Sequence, residues 1–440
     1  MSNRNEKKTN RHQPRHAVQE MDASVPEYEI VDEVSDKEQR ISARRGRKKR
    51  SVMARVLTRL LFVLVIGVAA LWVWQNWDSF DPRKMMENMQ IFFAGGQKGD
   101  GFPVEIDGNS VLFMNGVDNH LALLTDTAFV MLNGKGGEQV RRPNSYSQSM
   151  MRTAGDYILI AELGGKRFRL EKRTETVLNV TADNVSDDEK KAPVLDEPIQ
   201  NAIVSCAVRA DGTVVLATES SQSHTSEVVV YSSKGKKLFH KYNSSLLVVD
   251  VALSPDGKSV AFAGLEAVNG QMRSTVQVFD LKNAALIKQY TMNDVMLCTV
   301  SYYANGNVVA IGDTGCLVAD LQKDEPVCQY YQTSELIGYQ ISSYTAAVVL
   351  RDYGASDGGQ VLLIDQSGSK KGTAKFDGSF RHCTFNKNNL MLLTSSHLYT
   401  VSNEGALSNT QDIPQDGRMV GVLNNQIVVL GLQALSVYTP

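Results

Sequence analysis

The side chains that could carry chemistry in this 440-residue chain are few: five histidines beyond residue 100 (His120, His224, His240, His382 and His397) and five cysteines. No two of these histidines stand at a spacing that would put both on one metal ion, so each reads as a surface or strand residue. Neither a Ser nucleophile elbow nor a phosphate loop is present. The Gly-rich stretches SDGGQ (356–360) and AGGQKGDG (94–101) precede no helical pattern and read as turns. Asp187, Asp188 and Glu189 lack the alternating ligand spacing of a calcium loop and read as a solvated loop. No catalytic, cofactor-binding or metal residue is assigned on this basis, and no cofactor is expected.

The elements around these residues divide the chain by charge. Residues 1–55 carry 14 Lys and Arg against 9 Asp and Glu, and residues 78–440 carry 31 against 39. Between them, residues 56–77 form an apolar run that as a helix spans ~33 Å, enough to cross a bilayer. Arg59 interrupts its inner end, where a long cationic side chain can reach the headgroups. The basic run RRGRKKR (44–50) precedes it, and Trp72, Trp74 and Trp77, the three tryptophans of the chain, close its other end. Basic residues mark the cytoplasmic flank and aromatics the outer interface, which predicts a single-pass anchor with the C-terminal body outside the cell membrane. A cleaved signal peptide would have a short charged leader rather than about 55 polar residues before the apolar run. A buried core helix would leave the basic run unexplained.

Residues 1–55 have few aromatics, no hydrophobic period and blocks of like charge, the composition of a disordered tail. Within it, residues 20–38 are acidic and dotted with Val25, Tyr28, Ile30, Val31 and Val34. They read either as a linear motif for a cytoplasmic partner or as a solvated spacer. Residues 78–93 predict a short juxtamembrane helix, and GGQKGDG (95–101) a flexible hinge.

Beyond residue 101 the pattern changes to short runs rich in Val, Ile, Leu, Thr and Tyr, closed by Gly, Asn and Asp. Turn signals recur at 117–120, 153–156, 209–212, 254–257, 303–306, 343–346, 386–389 and 423–426, each followed by an apolar strand. Four strands per unit at this period predict the blades of a β-propeller over residues 102–440. The last unit has three strands before the chain ends, and FPVEI (102–106) stands unclaimed at the front. Joining the two closes the ring with eight blades; seven is the alternative, because the second and sixth units are less regular. Residues 181–198 read as an acidic surface insertion.

Cys206, Cys298 and Cys383 fall at similar places before the turn in the third, fifth and seventh units, which predicts buried apolar packing for all three. Cys316 and Cys328 lie on consecutive strands of one unit. A hairpin centred on Gln322 would set them directly opposite, and a cross-strand disulfide is expected.

The hairpins LSPDGKSVAFAG (253–264) and VVVYSSKGKKLF (228–239) resemble those of WD40-like and quinoprotein-like propellers. The whole layout, from the charged tail through GFPV and LALLTDTAFVMLNGKGGE to the propeller, resembles an uncharacterised family of single-pass membrane proteins in Gram-positive bacteria. That resemblance covers about residues 45–440 and implies a location and a shape, but no site residues. Quinone-dependent propellers stack tryptophans on their cofactor, and this body has none after Trp77. No Trp-Asp pair closes any unit.

The expected function is a non-catalytic binding or scaffolding platform in the cell envelope, meeting a protein partner through its loops, with the bilayer as anchor. The sequence does not single out a binding face; the loops on the face holding GVDN (116–119) and SPDG (254–257) are the first place to look. The acidic body argues against nucleic acid. Two alternatives stand: a transmembrane sensor acting through the tail, and a cell-wall polymer hydrolase or lyase using a central channel.

Overall fold

Each of the eight turn signals read from the sequence closes a real hairpin, because each tip places residues suited to the backbone reversal. In the Asp-Gly tips, Gly212 and Gly257 take φ of 83° and 72°, a region that a Cβ disfavours. The computed structural model describes residues 98–180, 195–220 and 224–438. The tail, the apolar run 56–77 with Arg59, Trp72, Trp74 and Trp77, the helix expected at 78–93 and residues 181–194 of the insertion lie outside the described residues. Among the described residues no helix is long and apolar enough to cross a membrane.

The described residues form eight antiparallel sheets of four strands, an all-β propeller with eight blades. Blades 1 to 7 occupy residues 111–143, 149–179, 203–243, 247–293, 297–330, 334–376 and 380–412 in turn. Blade 8 combines 419–438 with the two-residue strand Val104–Glu105. The less regular second and sixth units are therefore complete blades. First strands of neighbouring blades touch one another, so the first strand is the innermost.

A lone four-stranded sheet cannot bury both faces; radial packing does so eight times over. One apolar cluster fills each interface between blades. Between blades 3 and 4, for example, Val215, Val228 and Val230 meet Val251, Phe262 and Phe279, and the two phenyl rings stack at 5.2 Å. Each fully buried side chain of this size contributes roughly 1.5–3 kcal/mol relative to exposure. Blades 1 and 2 are also joined by charge. Glu171 is fully buried and meets Arg169 Nε at 2.7 Å and Arg142 Nε at 3.3 Å.

Ring closure follows the expected route. Val104 pairs with Leu435 and Glu105 with Ala434, and Ile106 N–H donates to Gln433 O at 2.9 Å. Arg418 then donates to Gly108 O at 2.7 Å and Asn109 Oδ1 at 2.9 Å, holding the chain that leads into blade 1. Of the Gly-rich segment 95–101 only residues 98–101 are described, and there Gly101 N–H donates to Lys135 O and Asn133 Nδ2 to Lys98 O on the third turn of blade 1.

At the seam the backbones approach too closely for side chains: a Cβ on Gly116 would lie 2.0 Å from Val422 O. Gly116→Ala should therefore lower stability by about 1–3 kcal/mol through overpacking. A denaturant titration with an unchanged slope and a lower midpoint would register it.

Candidate functional site

The antiparallel order of each blade puts its first and third turns on one face of the ring, here called the turn face. Those are the turns carrying GVDN and SPDG. Six third turns begin alike. Asn133, Asp280, Asp320 and Asp365 accept from the backbone N–H two residues on, at 2.8 to 3.0 Å, while Ser232 and Ser402 cap theirs with longer bonds. A polar residue at this recurring position is a signal the hairpin pattern contained but periodicity alone did not reveal.

Two concavities open on the turn face. A groove of ≈ 740 Å³ crosses blades 5 to 7, lined in part by Asn305, Lys323, Glu325, Tyr344 and Gln366. Its walls are pinned between blades 5 and 6, where Asn307 Nδ2 donates to Gln366 O at 2.8 Å and Tyr303 Oη to Ile364 O at 3.1 Å, while Gln366 Nε2 donates to Ser343 O at 3.0 Å within blade 6. Tyr344 remains 60% exposed at its edge. The second opening, of ≈ 390 Å³, is lined by Asn115, Thr153, Thr384, Asn424 and Asn425 among others. It shares Asn115, Thr153 and Thr384 with the central channel of ≈ 560 Å³.

The channel wall has a repeated irregularity. In blades 1, 3, 4, 5, 6 and 7 the innermost strand slips by one residue against its partner, a β-bulge near the start of the strand. The residue after the bulge is Phe113, Ser205, Asp250, Thr299, Gly338 or His382. Asp250 is buried, yet its carboxylate is fully engaged: it accepts from Ser205 Oγ at 2.6 Å, Thr299 Oγ1 at 2.7 Å and Val300 N–H at 3.0 Å. One side chain thus ties three blades together. Burial pulls the His382 imidazole below its ordinary value, and Val420 N–H donates to its Nδ1 at 3.5 Å.

The remaining histidines find partners that spacing could not show. His240 Nε2 meets Glu227 Oε1 at 2.5 Å in the lining of a 160 Å³ pocket on blade 3, and His224 stacks at 4.4 Å on Tyr242, which lines the same pocket. His120 is buried in blade 1. His397 Nδ1 lies 2.7 Å from Ser396 Oγ and its Nε2 3.2 Å from Asp412 Oδ1. This Ser-His-Asp sequence of contacts does not make a hydrolytic triad. The Asp412 side chain is 94% exposed, where water screens it, and the serine is the histidine's own neighbour in the chain.

The cysteines correct two expectations. Cys316 pairs with Gln329 and Leu317 with Cys328, so the hairpin is offset by one residue and the two thiols face opposite interfaces. Both are free, and the expected disulfide is absent. Cys206 and Cys383 are buried as expected, but Cys298 is the bulged residue of its strand and is exposed. Burial pushes the Cys206, Cys316 and Cys383 thiols up to about 12, leaving almost no thiolate near pH 8.

Residues 189–431, more than half of the chain, match a protein family described as "Family of unknown function (DUF5711)". Among curated proteins no match is found. Of solved structures, BamB from Moraxella catarrhalis is 11% identical with a TM-score of 0.46, covering 76% of this chain and 98% of its own. Apo AztD from Citrobacter koseri is 10% identical with a TM-score of 0.46, covering 68% of this chain and 85% of its own. Likeness at that level bears on neither ligand nor activity.

Two measurements check the site's geometry. Alkylating the folded protein near pH 8 should modify Cys298 and Cys328 only, with the other three reacting after unfolding, as intact mass would show. Asp250→Ala should cost about 3 kcal/mol or more in unfolding free energy, since three buried donors lose their charged acceptor.

Proposed function

We infer that this chain, which belongs to the family of unknown function DUF5711, is a non-catalytic binding platform whose turn face receives a protein partner. The observation that carries this reading is the groove across blades 5 to 7. Its walls are fixed by hydrogen bonds between blades 5 and 6 and within blade 6, so partner residues meet a preformed surface and little ordering is needed on binding. Exposed Tyr344 at its edge supplies the aromatic contact typical of such interfaces, amid amide and charged side chains.

Three observations in the channel support a role without catalysis. The Asp250 carboxylate is occupied by three donors, and His382 Nδ1 accepts from the Val420 backbone N–H rather than meeting a nucleophile. The Cys383 thiol beside it is raised to about 12 by burial. The excess of acidic over basic residues in 78–440 favours a protein over a nucleic acid.

The platform is held at the outer side of the cell membrane by residues 56–77 as a single-pass anchor, with the N-terminus cytoplasmic. What supports this is the length of the apolar run, the basic flank 44–50 and the tryptophans at its far end.

A photo-crosslinking residue placed at Tyr344 in the full-length protein, in its own membranes, should yield one discrete protein adduct. The same residue at Met272, 58% exposed on a second turn at the opposite face, should not. The adduct should persist when residues 1–43 are removed. Adducts from Met272 alone would reject the turn face, and loss of the adduct with the tail would move the sensor reading ahead.

A further inference from the structure

The central channel carries one charge that the fold does not use. Arg152, on the innermost strand of blade 2, lines the channel and makes neither an ion pair nor a hydrogen bond among the described residues. By contrast Arg142, Arg169 and Arg418 are all engaged in joining blades. Partly burying a guanidinium without a partner is unfavourable, and Arg152 is the one arginine among the described residues that line the channel.

The ladder register shows what surrounds it. Arg152 pairs with Leu159, and at the equivalent level the other innermost strands place Asn115, Ser301, Gln340 and Thr384, all lining the channel. Blades 3 and 4, next in the ring, have only Ala207 and Ala252 there, which leaves the guanidinium room to extend. The level is therefore one cation among neutral amides and hydroxyls. Asp250 stands two residues away along its strand, about 7 Å at ~3.3 Å per residue. Its oxygens are taken by Ser205, Thr299 and the Val300 amide. His382, at the level of Asp250, is kept neutral by burial. Tyr339 is pushed up by burial and by Asp250, against Thr299 and Arg152, so it stays a neutral hydroxyl within range of the guanidinium's field.

We propose that the channel captures a carboxylate at Arg152, presented through the turn-face mouth by a chain end or by a small free acid. A planar fork of N–H donors matches a carboxylate in bidentate fashion, and low-dielectric walls strengthen the attraction beyond what an exposed arginine gives. One cation with Asp250 beyond it suits a monoanion and disfavours a phosphate dianion. The mouth is continuous with the site, since Asn115, Thr153 and Thr384 line both. This site is separate from the groove at Tyr344, so either can fail alone.

The test is calorimetric titration of the full-length protein with acetate, tetra-alanine, tetra-alanine C-terminal amide and inorganic phosphate. Wild-type protein should bind a carboxylate, with the amide at least tenfold weaker than the free-acid peptide. Arg152→Gln should lose binding at least tenfold and Arg152→Lys less, with melting temperatures near wild type. Preference for tetra-alanine over acetate would identify a chain terminus as the source, and equal affinity a free acid. Equal binding of acid and amide, tighter binding of phosphate than acetate, or no carboxylate binding by the wild type would each overturn the proposal.

Discussion

The pairing of Val104–Glu105 with Ala434 and Leu435 is the contact on which the remaining architecture depends. It is short, and two residues of ladder contribute little by themselves. Its weight comes from position: it joins the start of the body to the end and makes blade 8 a four-stranded sheet. Phe102, Val104 and Ile106 pack beside it against a cluster shared by blades 8 and 1. With the seam shut, all eight interfaces bury apolar faces and none is left open to solvent. The near contact of Gly116 with the Val422 carbonyl shows how little room the seam leaves.

A second constraint acts at the axis. Eight innermost strands converge on the channel, and six of them carry a bulge near the start of the strand. A bulge increases local twist and re-aims the residues that follow. Here it turns Asp250 toward Ser205 on one side and Thr299 on the other, so that a carboxylate holds three blades. Blade 2 lacks the bulge and contributes the unpaired Arg152. The channel is thus rigid at the level of Asp250 and open to a ligand nearer the turn face, two functions separated by about two residues of strand.

Rigidity at the axis and recognition at the turns are linked. Loops bind best when their anchors do not move, and the hydrogen bonds from Asn307 and Gln366 extend the order of the blades into the groove. The polar residue at the start of six third turns works in the same direction, holding each tip in one shape. A platform built this way can vary its exposed side chains without disturbing the interfaces beneath.

Much of this was legible from residue order. Turn chemistry and two-residue alternation depend on neighbours a few positions apart, so all eight first turns, the four-stranded period and the closing strand could be read directly. The hairpin of Cys316 and Cys328 shows the limit. Its register rests on a turn one residue different from the symmetric guess, and a slip of one residue sends a side chain to the other face. Cys298 shows the same limit at a bulge, which hydrophobic pattern does not announce. The Asp250 strap and the Arg152 level lie further beyond reach, since Ser205 and Thr299 are 45 and 49 residues from Asp250. Local chemistry determined the strands and turns; only the closed ring, by setting blades side by side at one register, decided which distant polar groups would meet and which would be left free.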